Sequence, residues 1–105
     1  MKHARAMLSA MAAHALCGAA AAAQTHTVTM DGVAFVPPKL SVLRGDTVIW
    51  VNKDPFPHTA TAADRSFDSG EIGAGKSGKV VVKKAGTFEY VCTLHPTMKG
   101  TLVVK

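Results

Sequence analysis

The chain is short of cysteine, of aromatic residues and of negative charge. Its 105 residues hold two Cys, 6% aromatics and seven Asp or Glu against twelve Lys or Arg. Two cysteines cannot make a disulfide-dense scaffold, and no C-x-x-C-H run is present for covalent haem. A structural zinc site normally uses more thiolates than are available. The lysines are scattered, with only Lys83 and Lys84 adjacent, and few aromatics lie between them, so the positive balance is not a nucleic-acid signature. Internal repeats and linkers long enough to separate two domains are absent, and one domain is expected.

The N-terminus reads as a targeting segment. Lys2 and Arg5 are followed by an Ala-rich, charge-free stretch, and Ala21-Ala22-Ala23 offers small residues for cleavage. This pattern predicts a secretory signal peptide over 1–23, removed on export to the periplasm and leaving no membrane span. The domain over 24–105 then carries ten Lys or Arg and seven Asp or Glu, a formal charge of +3 instead of +5, which suits an acidic partner surface. Cys17 leaves with the signal segment. Cys92 becomes the one remaining cysteine, and a lone cysteine in an exported protein needs a reason.

After residue 23 the chain reads as short strands between turns. Thr25–Met30 alternates and ends at Asp31-Gly32. Val33–Val36 runs into Pro37-Pro38, and Lys39–Leu43 closes at Arg44-Gly45-Asp46. Thr47–Asn52 is the strongest strand. His58–Ala62, Gly78–Lys83, Thr87–Cys92 and Gly100–Lys105 complete the set, while 66–78 is Gly- and Ser-rich loop. No helix is predicted, and the spacing of turns indicates an all-β sandwich or barrel. Alternation puts Phe88, Tyr90 and Cys92 on one apolar face, so Cys92 should point inward at the end of a core strand.

Cys92, His95 and Met98 form C-x-x-H-x-x-M, read as one loop between two strands. His58, in Pro57-His58-Thr59, adds a second imidazole at another loop–strand junction. Two His and one Cys in a near-trigonal plane, with a weak axial Met, are the donors of a blue-copper electron-transfer site. Taken singly, Cys92 and Met98 also read as core residues and His58 as a solvated loop histidine. A Cys–His nucleophile lacks an orienting group, and an oxidase or reductase would need a second His-rich site. The third histidine of the exported domain, His26, would follow Gln24-Thr25 after cleavage. A free amine, two amides and an imidazole in that order can chelate Cu(II), although chain ends more often do nothing.

Together these segments resemble the cupredoxin family of small type 1 copper proteins. The resemblance rests on Phe35-Val36-Pro37, the run Val42 to Asn52, Pro57-His58-Thr59, Phe67-Asp68-Ser69-Gly70, and Gly86 to Gly100. The two residues between His95 and Met98 resemble the short loop of amicyanin; plastocyanin has a longer one. The resemblance implies a Greek-key β-sandwich with one type 1 copper near one end, held at His58, Cys92, His95 and Met98. Many family members carry Asn directly after the first His ligand, where this chain has Thr59. Its backbone N–H can still donate to the Cys92 sulfur, and its hydroxyl can meet Thr93.

The expected protein is a monomeric, non-enzymatic electron carrier whose redox partners dock transiently near His95, the less enclosed imidazole. Pro55, Phe56, Pro57 and Pro96 would collar it, with Lys53 and Lys99 on the rim. The family resemblance further implies that His95 protonates and leaves Cu(I) in the reduced state, so that the potential should rise as pH falls. The rivals are a periplasmic copper sequestration or delivery protein and a metal-free binding module on the same fold.

Overall fold

The computed structural model describes residues 22–105. The signal-peptide reading of 1–23 therefore lies, through residue 21, outside the described residues. Ala22 to Gln24 are irregular and exposed.

Eight strands follow: β1 (Thr25–Met30), β2 (Phe35–Val36), β3 (Lys39–Val42), β4 (Thr47–Asn52), β5 (Thr61–Ala62), β6 (Ser77–Val81), β7 (Gly86–Cys92) and β8 (His95–Val104). They form two four-stranded sheets, ordered β2-β1-β4-β6 and β3-β8-β7-β5. β1 runs parallel to β4 and β3 parallel to β8, whereas the other pairs are antiparallel. The described residues contain no helix.

The sandwich follows from side-chain alternation. In β4, Val48, Trp50 and Asn52 are buried and their neighbours are half-buried. In β7, Phe88, Tyr90 and Cys92 are buried while Thr87 and Glu89 are exposed, as the sequence phase predicts. These inner faces meet in one core, where Trp50 lies 5.7 Å from Phe67 and 5.6 Å from Tyr90, centroid to centroid. Phe35 packs edge-on against Tyr90 at 4.6 Å. Offset and edge-to-face pairs of this kind add to the burial of apolar area. Val28, Met30, Leu102 and Val104 fill the remaining interior.

Two expectations are corrected. The run from Cys92 to Met98 is not one loop. β7 turns at Thr93-Leu94 and β8 begins at His95, opposite Cys92, with a register shift between Val91 and Cys92. The strand expected at His58 begins only at Thr61. His58 instead makes an isolated antiparallel bridge to Ile72, within the stretch read as loop.

Candidate metal centre

Three segments converge at one end of the sandwich. The turn after β4 brings in His58, the end of β7 brings Cys92, and the start of β8 brings His95 and Met98. His58 and Cys92 have no exposed surface, Met98 is buried and His95 half-buried. His58 Nδ1 lies 3.5 Å and His95 Nδ1 3.8 Å from Cys92 Sγ. One donor atom from each of the three residues falls within 4.8 Å of the other two. Among the described residues no other group of His, Cys, Asp and Glu gathers this way.

The loop from β4 to His58 is tied at several points. Asn52, buried at the strand end, donates through Nδ2 to the carbonyls of Phe56 (2.8 Å) and Ile72 (3.0 Å). Its Oδ1 accepts the Asp54 N–H at 2.9 Å. Asp54 then takes His58 Nε2 on Oδ2 at 2.7 Å. A carboxylate partner makes Nε2 the protonated nitrogen and leaves the Nδ1 lone pair facing Cys92. Asp54 also accepts the N–H groups of Gly32 and Val33 at 2.8 and 2.9 Å. Burial works to raise its pKa but is outweighed by the His58 hydrogen bond, then by those from Val33 and Gly32, so the carboxyl stays below its ordinary range.

Thr59 behaves as its position suggests. Its N–H donates to Cys92 Sγ at 3.3 Å. Its Oγ1 accepts the Thr93 N–H at 2.9 Å and lies 3.2 Å from Thr93 Oγ1, strapping the two loops together. The sequence reading missed Asp54, although an acid four residues before His58 was the available signal. It also missed Leu94. This side chain, one residue before His95 in the turn, is 46% exposed, and Phe56 is 37% exposed with its ring 5.3 Å from His95. Pro55 and Pro96 are exposed and Pro57 half-buried, and Lys53 and Lys99 are exposed.

His26 has a partner of its own in the uncleaved chain. It sits in β1, paired to Val48, with Nε2 on Asp46 Oδ2 at 2.9 Å; the Gln24 N–H is also on Asp46, at 2.9 Å.

A thiol, two imidazole nitrogens and a buried thioether suit copper, which takes soft sulfur and imidazole donors together. The comparisons agree. The chain belongs to the cupredoxin family: the Cupredoxin-like domain matches residues 4–104. Within that family it is 34% identical over 88 residues to amicyanin of Paracoccus denitrificans, an alignment covering 74% of this chain and 63% of that protein. It is 31% identical over 101 residues to the chloroplastic plastocyanin of Physcomitrium patens, covering 80% and 60% respectively. The chain thus spans less than two thirds of both relatives. The solved structure of an oxidized amicyanin variant superimposes with a TM-score of 0.71 at 28% identity, covering 77% of this chain and 82% of that one. The cofactor of this cupredoxin is copper, one ion per chain.

Proposed function

We propose that the protein is a small exported electron carrier, acting as a monomer, whose single type 1 copper is held by His58 Nδ1, Cys92 Sγ, His95 Nδ1 and Met98. The convergence of both Nδ1 atoms on the Cys92 sulfur, at 3.5 and 3.8 Å, carries the reading. Copper so held supplies one-electron chemistry. The chain's own residues orient the donors, exclude water from Cys92 and leave His95 as the side of the cluster nearest solvent. A site with four protein donors has no open position for a substrate, which favours transfer of electrons over catalysis. Phe56 packs beside His95, and Leu94, its exposed neighbour in the turn, adds apolar surface that would suit short-lived contact with redox partners, whose interfaces are small. The hydrogen bonds of Thr59 and Asp54 make a tightly braced site, which suits a carrier better than a protein that must hand its metal on.

One equivalent of Cu(II) added to the purified domain should give an intense thiolate-to-copper band that ascorbate bleaches. Cys92→Ser should abolish it. A weak d–d spectrum from the unsubstituted protein would sink the reading. Voltammetry separates the rival: a copper-delivery protein would bind Cu(I) tightly without a reversible couple.

A further inference from the structure

We propose a second binding site, remote from the metal centre, for a single-chain anionic amphiphile such as a medium-chain carboxylate. Two concavities meet at Lys83. One is a slot of about 310 Å³ between β6 and the opposite sheet, walled by Phe67, Val80, Val82, Phe88 and Val104. The other is a shallow shelf formed by Leu43, Arg44, Gly45, Lys83 and Lys105. The slot is apolar and the shelf cationic, and Lys83 borders both.

The slot lies at the lower end of the range for ligand pockets, about 300–1,000 Å³. The slot is open on one side, so it would cover part of the length of a medium-sized alkyl chain. No Asp or Glu lines either concavity. Lys83 and Arg44 are exposed, and among the described residues neither makes an ion pair. Lys84 also borders the slot but sits near Asp64. That carboxyl is held low mainly by its bonds to Ser66, with a smaller contribution from Lys84. The proposal therefore rests on Lys83 and Arg44. Val81 and Leu43, each about half exposed, are apolar residues on this surface.

A neutral apolar molecule would satisfy the slot and leave the shelf unused; a simple anion would do the reverse. An amphiphile with a carboxylate head engages both. Its chain would lie against Phe88, four residues before Cys92 on β7, or about 13 Å at ~3.3 Å per residue. Binding there would leave the metal donors untouched, so the proposal stands or falls separately from the electron-carrier reading.

The test is a titration of the Cu(I)-loaded protein, followed by amide chemical shifts. Sodium decanoate, decyltrimethylammonium and decanol are added below their aggregation concentrations. Decanoate should give saturable shifts at Val80, Val82, Phe88 and Val104, at an affinity about tenfold above that of the cationic analogue. Lys83→Glu should remove that preference, and Val80→Trp should block binding by filling the slot, while the visible band of each oxidized variant confirms the fold. Equal affinity for the two head groups, an unaffected Lys83→Glu variant, or shifts gathered instead at Phe56 and Leu94 would overturn the proposal.

Discussion

Asp54 divides its two oxygens between a metal-site imidazole and a turn more than twenty residues upstream. Oδ2 holds His58, and Gly32 and Val33 donate to Oδ1 and Oδ2. A carboxylate behind a ligating imidazole raises its basicity and favours the more highly charged metal state. Asp54→Asn should therefore raise the reduction potential, a change voltammetry would register. An unshifted potential would mean that the carboxylate only braces the loop. The same carboxylate restrains Val33, whose φ of 56° places a β-branched residue in the left-handed region. Val33→Gly should stabilise the fold by about 1 kcal/mol through relief of that strain, measured by urea unfolding. The gathering of His58, Cys92 and His95 and the Thr59 contacts to Cys92 and Thr93 were legible in motif spacing and family likeness. The Asp54 contact to Gly32 was not, because a bond across that separation leaves no local pattern.

The strands Thr25–Met30 and Thr47–Asn52 were legible to the residue, since alternation of buried and open positions marks them. β8 was not. Pro96 reads as a break, yet the strand begins at His95 and continues through it. The β7–β8 register shifts between Cys92, opposite His95, and Val91, opposite Lys99, so Pro96 falls in the bulged stretch and has no partner in β7, while β3 pairs only from Thr101; its missing N–H costs no ladder bond. The parallel pairings of β1 with β4 and β3 with β8 were also beyond reach, because distant strands choose partners through the whole core. Opposite Tyr90 in the β7–β8 ladder stands Gly100. A methyl group there would overlap Tyr90 Cζ and Oη, and that ring is buried and wedged against Phe35 and Trp50. Gly100→Ala should cost about 1–3 kcal/mol in thermal or urea unfolding, the usual penalty of overpacking. A wild-type midpoint would show that the ring can move aside.

Across the whole molecule the two ends differ in chemistry. At the end away from the metal cluster, Asp46 accepts the N–H groups of Gln24 and Leu43 and bonds His26 Nε2. The Gln24 bond first, then those from His26 and Leu43, lower its pKa from 3.8 to about 2. A carboxylate with a depressed folded-state pKa contributes stability that is fully present above 3.8 and lost as pH falls toward about 2. The urea midpoint should therefore drop across that window, and Asp46→Asn should flatten the drop without changing the visible band. An unchanged acid limb in the variant would assign the loss to other carboxylates. At the metal end, the Thr59–Thr93 bonds join the segment after His58 to the turn after Cys92, and the sulfur itself accepts the Thr59 N–H. His58 and Cys92, held in this way, have little freedom to follow a change in the ion's preferred geometry, whereas His95 has no such tie among the described residues. On the electron-carrier reading, little nuclear rearrangement would accompany the exchange, and its speed would be set by how long a partner stays and how near it comes.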